Sequence, residues 1–384
     1  MKKLSRKIHL WLSVPFGLLI AVICLTGAIL VFEDEWMEFS RHDLYYVNKV
    51  EAQTLPVSEL LQTVQNTLPD SVSVKGITMF ANPQKAWQVS ISKPMRASIC
   101  VDQYTGEIKG RNERAPFFMF MFKMHRSLLG NMKPAAGEIS VGKLVVGVST
   151  LLMVVILISG LIVWIPRTCK AVKNRLQIKC NKGCRRFWYD LHVSGGIYTV
   201  VFLLALALTG LTWSFSWYRS AFYQVFGAEV KQQSSHGSGQ KQQGKTASNK
   251  GHHGENGKGS SRQTGETTFT HWQTVYNLLS RQNPEYERVS ITDGTASVYF
   301  SGFGNQRAAD RYTFDPGSGA ISETNLYADQ DRAGKLRGWI YSVHVGSWGG
   351  LPTQILAFLA ALLGAVLPLT GYYLWIKKMK RKRK

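Results

Sequence analysis

The chain has 384 residues and a net charge of +22, with 46 Lys and Arg against 24 Asp and Glu. The excess is not spread over a surface but gathers in short segments beside four long uncharged runs, which argues against nucleic acid as the partner and for anionic lipid. Five scattered cysteines exclude a disulfide framework.

Residues 1–32 open with KKLSRK and pass into the uncharged run Leu10 to Phe32. With Leu144 to Ile165, Val193 to Trp217 and Leu351 to Ile376 it makes four runs of 22 to 26 residues, each able to cross a hydrocarbon core about 30 Å thick. The first is too long for a signal-peptide apolar region and meets FEDEW without a small-residue cleavage site, so it is expected to remain as an anchor. Residues 33–115 hold a short amphipathic helix, VSELLQTVQNTL, then the alternating strands AWQVSI and ASICVD and the turn DQYTGEI. Residues 116–165 bring PFFMFMFKMHRSLLG, which contains His125, and the second span. The basic loop 166–192 ends at His192. Its Cys180 and Cys184, with Cys169, lack a fourth metal ligand and read as reduced thiols.

After the third span, 193–217, the connection 218–268 contains a Gly-, Ser- and Gln-rich linker that cannot bury a core, and its His236, His252 and His253 read as solvated. Residues 269–332 repeat the helix, strand and turn pattern in WQTVYNLLS, SVYFSG, RYTF and DPGSGAI. Both modules end in Asp-x-x-[Thr/Ser]-Gly-x-Ile, where Asp bonding turn backbone and Gly at positive φ give a structural explanation. Residues 333–376 hold His344, in WIYSVHVGSWG, and the fourth span; 377–384 is a basic tail.

The expected fold is a mostly α membrane protein: a four-transmembrane-helix bundle with an internal repeat, plus two small α+β extracytoplasmic domains. Lys and Arg before the first span, between the second and third, and after the fourth set both termini in the cytoplasm and both insertions outside.

The repeat is written in the spans. His9 precedes Thr26-Gly27 by 17 residues, as His192 precedes Thr209-Gly210, and Ser159-Gly160-x3-Trp164-Ile165 matches Thr370-Gly371-x3-Trp375-Ile376. His125 and His344 each have an aromatic residue three before (Phe122, Tyr341) and a Gly five after (Gly130, Gly349). One histidine of each kind therefore comes from each half. If repeat-related spans face each other, His9 can meet His192 at the cytoplasmic face, and His125 can meet His344 at the outer face. A single histidine at such a place would serve as an interfacial anchor. Four at repeat-matched positions suit bis-histidine haem, which keeps no open coordination position and transfers electrons. Gly27, Gly160, Gly210 and Gly371 would let a porphyrin or another helix approach, as would Gly195, Gly196, Gly346 and Gly349, though small residues are also ordinary packing devices in membranes. Arg126 and Arg186 suit haem propionates or lipid headgroups equally. The PFFMFMF run could wall a haem or lie along the interface.

RKIHLW, FKMHRSLLG, SGLIVWIPR, RFWYDLHVSGG, VHVGSWGG and TGYYLWIKK, in this order with the two Asp-x-x-[Thr/Ser]-Gly-x-Ile modules, resemble the PepSY-associated transmembrane family over nearly the whole length. The resemblance implies PepSY-like outer domains in a bacterial inner membrane, and two haem b groups with His9, His125, His192 and His344 as axial ligands to the iron. It also implies reduction of a ferric siderophore or other ferric chelate to Fe(II). Some relatives carry a fused flavin or nicotinamide module; here the chain reaches KKMKRKRK directly after the fourth span, so a membrane quinol or a separate cytoplasmic reductase is the expected donor. Two alternatives stay open. One is a peptide-binding or peptidase-regulating membrane protein without haem. The other is a metal-ion transporter, weakened by the lack of Asp or Glu in the four runs.

Overall fold

The computed structural model describes residues 2–94, 96–132, 138, 140–166, 168–229 and 269–382. The expectation for His236, His252 and His253 lies outside these residues.

In chain order, the first half comprises α1 (Lys2–Val31), α2 (Glu33–Ser40), α3 (His42–Tyr45), α4 (Val57–Thr67), the strands β1 (Val74–Phe80), β2 (Trp87–Ile91), β3 (Ser98–Val101) and β4 (Ile108–Asn112), then α5 (Pro116–Ser127) and α6 (Val141–Trp164). After α7 (Cys169–Leu176) the second half runs α8 (Cys184–Ser214), α9 (Ser216–Val225), α10 (Trp272–Gln282), β5 (Tyr286–Thr292), β6 (Thr295–Phe300), β7 (Ala309–Phe314), β8 (Ile321–Asn325), α11 (Arg332–Val345) and α12 (Leu351–Lys382). Among the described residues α1, α6, α8 and α12 are long and apolar enough to cross a membrane. The protein is a multi-pass membrane protein, mostly helical, with an antiparallel sheet outside the bundle.

The spans close into a ring in which α1 and α8 each pack against both α6 and α12. That leaves α1 and α8 at opposite corners, and α6 and α12 at the other two. Three spans start before the uncharged runs do, because basic segments such as KKLSRK and CRRFWYD continue as helix. His9 and His192 are thus held inside rigid helices rather than at frayed ends.

The two outer modules share one sheet. Eight strands form one sheet in the order β4-β3-β2-β1-β5-β6-β7-β8. Each run of four is a meander, and the meanders meet through β1 and β5, with Ile77 opposite Ile291 and Met79 opposite Val289. The reason is burial. A four-stranded sheet with one short helix exposes its first strand edge and has little core of its own. Pairing those edges lets α4, buried through Val57, Leu60, Leu61 and Val64, share a single core with α10, buried through Trp272, Val275 and Leu279. These positions follow the i, i+3, i+4, i+7 spacing of an amphipathic helix. The beginning of the 218–268 connection is also ordered: α9 leads to Tyr223 and Ala228, which pack on Ile340 of α11.

The repeated turns are built as their residues suggest. Asp102 Oδ1 accepts from the N–H groups of Tyr104 and Thr105 (2.8 and 3.3 Å), and Gly106 has φ +76°. Asp315 accepts from Gly317 N–H (3.0 Å) and the Ser318 hydroxyl (2.9 Å), and Gly319 has φ +71°.

Candidate functional site

Four imidazoles enter the bundle in two pairs. The rings of His9 and His192 have centroids 6.3 Å apart with planes at 79°, and those of His125 and His344 are 6.1 Å apart at 48°. The first pair lies near the basic ends of the spans and the second near the sheet. On α1, His9 and the glycine that touches His125, Gly27, are 18 residues apart, about 27 Å of helix. Between the two levels the bundle is filled by Ile20, Cys24, Met153, Leu203 and Ala365.

Every ring is held the same way. Nδ1 donates to a carbonyl inside a neighbouring span: His9 to Ile156 (3.0 Å), His125 to Ile23 (2.9 Å), His192 to Leu367 (3.1 Å) and His344 to Leu206 (3.0 Å). In each case the residue four positions after the acceptor is a glycine that receives the ring. A Cβ placed there would meet the imidazole Cε1 at 2.8 Å for Gly27 against His125, 3.0 Å for Gly210 against His344, 3.1 Å for Gly160 against His9 and 3.4 Å for Gly371 against His192. Four of the eight glycines singled out in the sequence thus make room for a histidine ring carried by another helix. The preceding Ser or Thr contributes unevenly. The hydroxyl of Thr370 accepts from His192 Nδ1 (2.8 Å) and that of Thr209 from His344 Nδ1 (3.1 Å). Ser159 is 3.4 Å from His9 Nδ1, and among the described residues Thr26 bonds only the carbonyls of Val22 and Ile23 on its own helix.

With Nδ1–H committed to carbonyls, which can only accept, each ring is fixed as the tautomer whose Nε2 carries a lone pair. Among the described residues no hydrogen bond goes to any of the four Nε2 atoms. This is how a metal-binding imidazole is prepared: the far nitrogen is pinned by backbone so that the near one is oriented and basic.

The histidine-bearing helices on the sheet side are positioned by that layer. His125 is on α5, whose approach is fixed by Arg114: its Nε donates to Glu33 Oε1 (2.5 Å) and its guanidinium lies 4.4 Å from the Phe122 ring. Burial pushes the Glu33 carboxyl up, and Arg114 offsets only part of that rise. His344 is on α11, where Arg307 stacks 3.5 Å from the Tyr341 ring, Gln306 N–H donates to Ser342 Oγ (2.9 Å), and Gly338 leaves room for Asn305. The aromatic residue three before each histidine is therefore a seat for an arginine from the sheet layer.

Of the two arginines singled out in the sequence, Arg186 donates through Nε to the buried Asp190 (2.8 Å), which also accepts from Lys179 N–H. Arg126 sits beside His125 with its guanidinium 5.9 Å from the Phe122 ring. Cys169, Cys180 and Cys184 are exposed, and among the described residues no group of three or more His, Cys, Asp or Glu is placed to hold a metal ion. All five cysteines are free.

Sequence reasoning missed the four carbonyl acceptors, since a backbone oxygen has no residue identity. Their signal was nonetheless present: a [Ser/Thr]-Gly pair in each of the four spans, matched in number to the four histidines.

Four spans, an outer sheet and two half-buried imidazole pairs define a class of polytopic membrane protein built around paired histidines in a helical bundle. The model of the PepSY-associated TM region matches residues 6–378, and the chain belongs to that family. A comparison with curated proteins finds no match.

Proposed function

We propose that this protein carries electrons across the bacterial inner membrane through two haem b groups, one between His9 and His192 and one between His125 and His344. It delivers them to a ferric siderophore or other ferric chelate outside, releasing Fe(II). The observation that carries the reading is the paired spacing together with the committed Nδ1 atoms. With metal–imidazole bonds of about 2 Å, two rings gripping one ion from opposite sides have centroids about 6 Å apart, and both pairs fit that span. When bound, such a group supplies a one-electron ferric/ferrous couple with no free coordination position.

The chain's own residues do the rest. The carbonyls of Ile23, Ile156, Leu206 and Leu367 fix the tautomers, and Thr209 and Thr370 add a second acceptor in the second half. The apolar packing of Ile20, Cys24, Met153, Leu203 and Ala365 keeps water out of the space between levels. Arg126, exposed on α5 beside His125, is the candidate partner for a propionate; Arg186 is less suited because Asp190 already holds its Nε. The basic face is cytoplasmic, where a quinol or a separate reductase supplies electrons, and the sheet layer is periplasmic. The two halves are copies of one unit, and the two meanders are PepSY-like modules fused through their first strands.

The test is a single-turnover reduction. Protein reduced with dithionite and freed of excess reductant is mixed anaerobically with a ferric chelate and a ferrous-specific chromophore. Haem reoxidation matched one for one by Fe(II) is expected; reduced bands that persist beside the ferric chelate contradict the proposed acceptor.

A second reading has one observation in its favour. Strand β8 is a free sheet edge with most of its residues exposed, the kind of edge that accepts a peptide strand. A peptide-binding role without haem predicts a colourless protein.

A further inference from the structure

We infer that Tyr372 is a positioning residue for the His9–His192 pair, a role that rests on the haem reading above. Its hydroxyl donates to the Val14 carbonyl (2.6 Å) and accepts from the Leu18 N–H (3.2 Å), the two groups that a regular helix pairs with each other. This happens where α1 is weakest. Pro15 has no N–H to offer the carbonyl of Trp11, so the stretch that begins just past His9 lacks one of its own bonds. Gly17 opens the way: a Cβ there would lie 2.9 Å from Tyr372 Oη and 3.3 Å from Pro368 Cβ. The stretch Thr370-Gly371-Tyr372 therefore does two things at once. Thr370 and Gly371 seat His192, and Tyr372 clamps α1, which carries His9. One short segment of α12 sets the gap and the relative orientation of the two rings.

The other three [Ser/Thr]-Gly seats are followed by Ala28, Leu161 and Leu211, none of which can form such a bridge. The clamp is thus particular to the basic-side pair, and the sheet-side pair serves as an internal reference.

The test reads ligand geometry rather than turnover. In low-spin ferric haem the anisotropy of the electron paramagnetic resonance signal depends on the angle between the two axial ring planes. Spectra of the oxidised wild type, with the basic-side signal assigned by its loss in His9→Ala, are compared with Tyr372→Phe and Gly17→Ala. Phe keeps the ring and removes the hydroxyl; Ala at 17 pushes the ring away from α1. The expected result is a displaced or diminished basic-side signal in both variants, with the sheet-side signal unchanged. Wild-type spectra in both variants overturn the inference, as do equal changes in both signals, which would make Tyr372 a general packing residue. A wild type with no low-spin signal at all refutes the haem reading, and this role of Tyr372 with it.

Discussion

The two histidine pairs use the same chemistry on different mechanical supports. His9 and His192 are integral to α1 and α8, spanning helices at opposite corners of the bundle. His125 and His344 sit on α5 and α11, short helices that come after β4 and β8 in the chain and are pinned by Arg114 and by the Asn305–Arg307 loop. The difference teaches what each pair is referred to. The sheet-side rings are carried by helices tied to the sheet layer and seated in α1 and α8, whereas the basic-side rings are both carried and seated by spans. The two meanders form one sheet, so both sheet-side histidines are referred to a common frame.

The largest expected effect breaks the comparison outright. His125→Ala or His344→Ala should remove one haem of two and leave the other reducible, and His9→Ala or His192→Ala should do the reverse, read as haem per chain in difference spectra. Equal loss of both haems from every single substitution would show one coupled site.

Next come the glycine seats. Alanine at Gly27 places a methyl 2.8 Å from His125 Cε1, and at Gly371 only 3.4 Å from His192 Cε1. Overpacking of this kind costs about 1–3 kcal/mol, so haem retention under a chelating competitor should fall in the order Gly371→Ala, Gly160→Ala, Gly210→Ala, Gly27→Ala, from best to worst. An inverted order would mean the rings are free to retreat.

A smaller effect separates the two halves. Removing a hydrogen-bond partner of a metal-bound histidine typically weakens the site about tenfold or more, but here a carbonyl acceptor remains, so the low end applies. Thr370→Ala and Thr209→Ala should each shift the midpoint potential of their own pair, and Thr26→Ala should leave the potential of the sheet-side pair unchanged, because its hydroxyl bonds only α1. A redox titration with resolved components distinguishes these outcomes.

The smallest effects concern the two turns of the sheet. Asp102 is buried, and losing its bonds leaves N–H groups unpaired at about 1–3 kcal/mol, so Asp102→Ala should lower the Tm measurably. Asp315 is exposed, and the Gly317 N–H and Ser318 hydroxyl hold its carboxyl below the ordinary carboxylate range. A lowered carboxylate stabilises above its unfolded value and loses that contribution as pH falls through the folded one. Asp315→Ala should therefore matter less than Asp102→Ala at neutral pH and make no difference at strongly acidic pH.

Much of this architecture was legible in the sequence because membranes impose a simple code. Long uncharged runs bounded by Lys and Arg give the four spans, and the matched spacing of His9 to Thr26-Gly27 and His192 to Thr209-Gly210 puts the histidines in corresponding places. What escaped was long-range. Nothing local in Val74–Phe80 or Tyr286–Thr292 says that these strands pair with each other, because an edge joined across more than 200 residues has no short-range signature. Nor does Gly27 say whether it faces a porphyrin, a helix or an imidazole until α5 is folded back onto α1. Tyr372 reads as an aromatic near a span end, and only the bonded Val14 carbonyl and Leu18 N–H reveal its clamp.

The most direct measurement is the haem content and optical spectrum of the purified wild-type protein from haem-replete cells. Two low-spin haem b per chain, with sharp α and β bands on reduction, is the predicted result. A colourless protein, or one haem bound per chain at saturation, would contradict the paired-histidine account.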